Sequence, residues 1–154
     1  MTRFNISADD IKNIIVHYYI EKRKFLCAVT EFKLGGNIAD VVAINDNEIV
    51  EIEIKISKQD FLNDFKKEKH NLSLKAANRF YYAIPEYLYN FVCSYLEKHN
   101  YNDIGIIIIN KNLNVIIKKP AELIQDNYIV NNDYLIKKVL AKLSLDSVKN
   151  KSLE

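Results

Sequence analysis

The stretch on which the reading turns runs from Ile38 to Ser57, IADVVAINDNEIVEIEIKIS. Residues two apart in a strand project to the same face, so Glu51, Glu53 and Lys55 form one row while Ile52, Ile54 and Ile56 form the other. The Asn45-Asp46-Asn47 segment is turn chemistry that folds the preceding strand back onto this one. With the turn centred near Asp46, Asp40 falls opposite residues near 52–53, and its carboxylate comes within reach of Glu53. Two carboxylates held together repel unless a cation intervenes or one keeps its proton. Mg²⁺ suits such a pair, because it takes hard oxygen ligands and commonly uses one or two carboxylates, waters and a substrate phosphate. A lysine two residues beyond the second acid is placed to hold an attacking water or to offset charge developing on phosphorus. The chemistry that fits is metal-assisted phosphodiester hydrolysis. Spacing alone favours a plainer reading, in which Asp40, Glu51, Glu53 and Lys55 are a cross-strand ladder of ion pairs on a solvated face.

Working outward, Ser7 and Asp10 form a capping box ahead of Ile11, Ile14, Ile15 and Tyr18, which predicts a helix over roughly 8–23. FLCAVTEFKL, IADVVAIN and EIVEIEIKIS follow, with Gly35-Gly36 dividing the first two, and predict a three-strand antiparallel meander. From Lys58 the period becomes helical, with Phe61, Leu62, Phe65 and Leu72 on one face. RFYYAIP is a strand stopped by Pro85, and EYLYNFVCSYLEKHN is a third amphipathic helix. IGIIIIN and LNVIIKKP form a further strand pair whose first member, apolar on both faces, belongs in the centre of a sheet. A last helix spans about 132–149, with Leu135, Ile136, Val139, Leu140 and Leu143 expected inward. A strand that passes through a helix and returns as RFYYAIP should pair in parallel. The expected fold class is therefore α/β, a mixed sheet with helices on both faces, in one domain over 1–154.

Composition agrees with a packed globular chain. Hydrophobic residues at 49% and charged ones at 27% are too apolar for disorder, and the net charge of +2 is too small to imply a polyanion partner by itself. No segment approaches the ~20 apolar residues of a membrane span, so cytoplasmic localisation without a membrane is expected. The two cysteines, Cys27 and Cys93, have no metal-binding spacing and are expected as buried free thiols.

At the level of motifs, Asp40 followed by Glu53-Ile54-Lys55 resembles the PD-(D/E)XK nuclease superfamily, with Ala39 standing where Pro is usual. The flanks, ADVVAINDNEIVEIEIKISKQDFLNDFKKEKH and NRFYYAIP, resemble the MmcB-like DNA-repair family through Ser57, Asp60, Phe61, Asp64, Lys66 and Arg79 to Pro85. Asn78 takes the place of an acidic residue there. The resemblance covers about 30–85. It implies a restriction-endonuclease-like αβββαβ core and a Mg²⁺- or Mn²⁺-dependent deoxyribonuclease, endo- or exonucleolytic, acting in DNA repair or recombination. Asp40, Glu53 and the backbone carbonyl of Ile54 would hold the metal and Lys55 would assist the water. A further acid is expected from Glu31 or Glu21, with Glu31 preferred. DNA is the expected partner, and a homodimer suits two-fold DNA. Competing readings are a Holliday-junction resolvase, a non-catalytic DNA-binding repair accessory, and a toxin or other partner-binding protein.

Other residues divide between roles. Glu51 is either a supporting acid or a solvated carboxylate. Asp60 and Asp64, a turn apart, suit a helix N-terminus. Lys58, Lys66, Lys67, Lys69 and His70 make either a phosphate track or a solvated helix face. His17, His70 and His99 have no metal spacing and are expected to be structural or on the surface. Tyr81, Tyr82, Tyr87, Tyr89 and Tyr95 are expected to pack in the core or at its edges, with stacking on unpaired bases as the alternative.

Overall fold

A computed structural model of the protein describes residues 4–66, 76–124 and 132–151; Lys67, Lys69, His70 and Leu72 lie outside them. The chain opens with α1 (Ala8–His17), capped by Ser7 and Asp10 as the sequence predicts. Helix continues to Lys22, but Tyr18–Lys22 is a π-turn rather than more α-helix. The meander follows as β1 (Cys27–Leu34), β2 (Asn37–Ile44) and β3 (Ile49–Ile54). Gly35 turns the first pair at φ +67°, and the Asn45 side chain accepts hydrogen bonds from the amides of Asn47 and Glu48 to close the second. Then come α2 (Lys58–Lys66), β4 (Arg79–Pro85), a short 3₁₀ turn (Glu86–Leu88), α3 (Tyr89–Lys98), β5 (Gly105–Ile109), β6 (Val115–Lys119) and α4 (Asn132–Lys151).

The strands lie in chain order, β1-β2-β3-β4-β5-β6, in one sheet. The meander is antiparallel, β4 joins β3 in parallel, β5 joins β4 in parallel, and β6 closes antiparallel. This is the α/β mixed sheet flanked by helices that the sequence predicts. Connections that cross a sheet face let parallel neighbours form, and each crossing here carries a helix that covers the face.

Two cores result. On one face α1 buries Ile11 and Ile15 against Val41, Ile52, Ile54, Ala83 and Ile107. On the other, α2 and α3 bury Phe61, Val92 and Leu96 against Phe80, Tyr82, Ile106 and Ile108, while Leu135 and Val139 of α4 cover Val42 and Ile44. β5 is buried along its whole length, as its unbroken apolar run predicts. Gly105 opens it because a Cβ there would lie 2.4 Å from the Tyr81 ring and 2.7 Å from the Ala121 nitrogen.

Some expectations fail. Of the five residues expected inward in α4, Leu135 and Val139 are buried, Ile136 is half-buried, and Leu140 and Leu143 are exposed. The helix packs on the sheet by its N-terminal half; further along, Leu143 only borders an open cavity with Val16 and Ile20. Cys27 and Cys93 are free thiols but half-buried rather than buried. Cys27 opens an edge strand, and Cys93 lies within α3, where its thiol donates to Glu97 one turn on. Among the described residues, no helix is long and apolar enough to cross a membrane.

Candidate functional site

Strand alternation puts Ile52 and Ile54 into the α1 core and leaves Glu51, Glu53 and Lys55 on the opposite side. That side is not solvated. Glu51 is 1% exposed and Glu53 and Lys55 are each 6% exposed, which overturns the solvated ladder and with it the solvated reading of Glu51. Burying three ionisable groups in one row is costly unless each finds a partner.

The partners come from three elements. Val41 pairs with Ile52, so the register carried one residue further sets Asp40 against Glu53, as the turn predicts. One oxygen of Asp40 accepts a hydrogen bond from the Ile54 amide at 2.8 Å, which fixes the carboxylate at the end of β3. The Glu53 carboxyl is pushed up to about 8, first by burial, then by the charge of Asp40 and a hydrogen bond with it, with Glu51 and Asp64 adding to the effect. The Asp40–Glu53 pair thus keeps a proton near neutrality.

Lys55 lies just past β3, where its amide donates to the Ala83 carbonyl and its side chain turns under α2. Its ammonium donates to Asp64 at 2.7 Å and stands 3.8 Å from Asp60. The second Asp64 oxygen accepts from the Tyr82 hydroxyl at 3.2 Å. Burial alone would lower the lysine's pKa, but Asp64, Asp60 and Glu53 outweigh it and hold the ammonium above its usual range. Lys55 is therefore a fixed cation, not a proton acceptor. Tyr82, buried and facing Asp64, is raised in turn and stays a hydroxyl donor.

Of the further acids, Glu31 is the one the fold brings near. Thr30 pairs with Val41 and Phe32 with Ala39, leaving Glu31 across from Asp40. Its backbone is left-handed at φ +51°, an uncommon state for a residue with a Cβ. Strand alternation slips there: Val29 and then Phe32 and Leu34 join one core cluster. The Glu31 carboxylate is ion-paired to Lys12 of α1, which also feels the charge of Asp40. Glu21 sits instead in the π-turn, lining a cavity with Val16, Ile20 and Leu143 that includes neither Asp40 nor Glu53.

Asp64 and Lys12 join the site only in the folded structure. Asp64 carried a signal: it falls between Phe61 and Phe65, so an acid occupies the buried face of an amphipathic helix. Lys12 carried none, because only the packing of α1 across the meander brings it to Glu31. Asp60 keeps its helix-terminal position, where its amide donates to the Ser57 hydroxyl, and its carboxylate also serves Lys55. Of the lysine track, Lys66 is exposed and Lys58 lies 5.1 Å over the Phe91 ring. His17 is exposed and His99 stacks on Tyr95, as befits surface roles. Arg79 joins Glu48 at 2.7 Å and the Ala121 carbonyl at 2.6 Å, and the Asn78 side chain accepts from the Ile49 amide. Both therefore fasten the entry to β3 and β4 rather than the charged row.

Comparison with known proteins gives one likeness of fold. A solved structure, the SPO1766 protein of unknown function from Silicibacter pomeroyi, superposes with a TM-score of 0.67 at 21% identity, over 96% of this chain and 95% of that one. Such a likeness speaks for the architecture across nearly the whole of both chains. No family model and no curated protein matches the chain.

Could the site take a divalent cation? Its donor set is hard oxygen, and a cation beside Asp40 and Glu53 would relieve the repulsion that helps raise the Glu53 carboxyl. Among the described residues no group of three His, Cys, Asp or Glu side chains is gathered for a metal, so the two carboxylates would need backbone, water or phosphate oxygens to complete a shell. Mg²⁺ and Mn²⁺ accept that arrangement.

Proposed function

We propose that the chain is a metal-dependent deoxyribonuclease of the PD-(D/E)XK type with a restriction-endonuclease-like fold, most similar to the MmcB-like DNA-repair family. The observation that carries the reading is the buried Asp40–Glu53 pair, whose Glu53 is driven up to about 8 two residues before a lysine fixed as a cation. A structural ion-pair ladder has no need of an unmatched acid pair, since neutral residues would serve the fold at lower cost. Perturbed acids of this kind cluster where chemistry is done.

On this reading Asp40, Glu53 and the Ile54 carbonyl would hold Mg²⁺ or Mn²⁺, which would supply positive charge toward a phosphate and acidify a bound water. Asp40 is pre-oriented by the Ile54 amide. Glu53, raised by burial and by Asp40, would bind such a cation as the carboxylate. Lys55, kept charged by Asp64 and Asp60, orients the attacking water or meets charge growing on the phosphate oxygens. Tyr82 holds Asp64 still, so the ammonium does not swing. Glu31, neutralised by Lys12, is the supporting acid. DNA is the substrate on this reading, and the exposed Lys58 and Lys66 of α2 are candidate phosphate contacts.

The test is cleavage of linear, nicked, single-stranded and four-way DNA with and without Mn²⁺ by wild type, Asp40→Asn and Glu53→Gln. Metal-dependent cutting by wild type and a loss of at least about a hundredfold in both variants are expected. If calorimetry finds no divalent-cation binding and wild type cuts none of the four substrates, the nuclease reading is wrong. Preferential cutting of four-way DNA would make the enzyme a junction resolvase. Metal-independent DNA binding without turnover would make it an accessory module.

A further inference from the structure

Helix α1 packs across all three strands of the meander and brings a lysine to the end of β2 that carries Asp40. The Lys12 side chain is only 18% exposed, although a lysine on a helix surface can usually carry its ammonium out to water. Here the ammonium donates to Glu31 of β1 and stands 3.8 Å from Asp9, three residues earlier on α1. Glu31 lies across from Asp40, between the pairs Thr30–Val41 and Phe32–Ala39, and the charge of Asp40 acts on the same ammonium. Three acids from three elements thus share one lysine, and Glu31 meets it from a left-handed backbone. The other lysine of the site is committed elsewhere, since Lys55 donates to Asp64 beneath α2.

We propose that Lys12 is a resident counter-ion of the acids around Asp40, which competes with the divalent cation and holds down the affinity of the site for it. The inference rests on the nuclease reading of that site and deepens it by naming what sets its metal affinity. An ammonium and a divalent cation drawn to neighbouring carboxylates repel each other, and salt screens that repulsion little where the groups are partly buried. The Glu31 carboxylate has lone pairs enough for both, so the competition is one of charge rather than of contact. Removing the charge of Lys12 should therefore tighten metal binding, whereas removing a merely structural tether would loosen it or leave it as it was. Lys12→Gln separates the two, because glutamine keeps an N–H for Glu31 and drops the charge.

The test is calorimetric titration of the full chain with Mn²⁺, in the absence of DNA, for wild type, Lys12→Gln, Lys12→Met and Lys12→Arg, each checked for folding by circular dichroism. Lys98→Met serves as a control for net charge, since Lys98 is exposed at the end of α3 on the opposite side of the sheet. Expected is Mn²⁺ binding about tenfold tighter in Lys12→Gln and Lys12→Met, with Lys12→Arg and Lys98→Met close to wild type. The proposal is overturned if neither uncharged variant binds Mn²⁺ more tightly than wild type, or if Lys12→Arg or Lys98→Met gains as much as they do. Should the uncharged variants bind more tightly while wild type cuts no DNA with Mn²⁺, the counter-ion role stands and the nuclease reading alone fails. Should wild type cut DNA with Mn²⁺ while the uncharged variants gain nothing, the counter-ion role alone fails.

Discussion

β3 and β5 are both buried along their length in the same sheet, yet they reach burial by opposite means. β5 is Gly-Ile-Ile-Ile-Ile, with each face filled by apolar neighbours. β3 gives one face to isoleucines and the other to Glu51 and Glu53, with Lys55 following. Apolar burial contributes roughly 25 cal/mol per Å² and needs no particular partner. Buried charge gains little net stability and is lost if a single partner goes. The contrast is why the β3 row, rather than β5, is the candidate site.

The largest effect should come from breaking that row. Lys55→Ala leaves Asp64 buried without its cation and should cost about 3–5 kcal/mol in urea unfolding, whereas Lys55→Met with Asp64→Leu should regain most of it. The double variant makes β3 resemble β5, and it should bring no cleavage activity back. If Lys55→Ala unfolds like wild type, the pair does not hold the site together.

Acidity sharpens the contrast next. Folded Glu53 keeps its proton to about 8, against an ordinary value of 4.5, so folding takes up a proton between those limits. Stability without divalent cation should therefore fall as pH rises through that window and level off above it. Glu53→Gln should flatten the profile; an unchanged slope in urea midpoints would assign the proton elsewhere. β5 contains no group that titrates.

The smallest change tests β5 on its own terms. Gly105→Ala drives a methyl against the Tyr81 ring and the Ala121 backbone and should lower stability by about 1–3 kcal/mol. A thermal midpoint equal to wild type would show that the strand entry yields without cost.

How far the site could be read from sequence depended on the range of the interaction. Glu53 and Lys55 share a face because strands alternate, and Asp40 meets Glu53 because a short turn fixes the register. Both relations are local. The burial of the row was not legible, because Glu-Ile-Glu-Ile-Lys reads equally as a half-solvated strand until α2 is laid over it. Asp64 was half-legible from its place between two buried phenylalanines. Glu31 gives no sign in sequence of its left-handed backbone, and Leu140 and Leu143 have the same periodicity as the buried Leu135 and Val139.

By itself the sequence determined the helix and strand order, the meander register and the pairing of Asp40 with Glu53, since these follow from periodicity, capping and turn geometry over a few residues. Only the tertiary structure decided that the charged row is dry, that Asp64 and Tyr82 lock Lys55, and that Lys12 answers Glu31. Those outcomes depend on which helix packs over which face, and burial alone turns a row of surface charges into coupled groups with displaced protons.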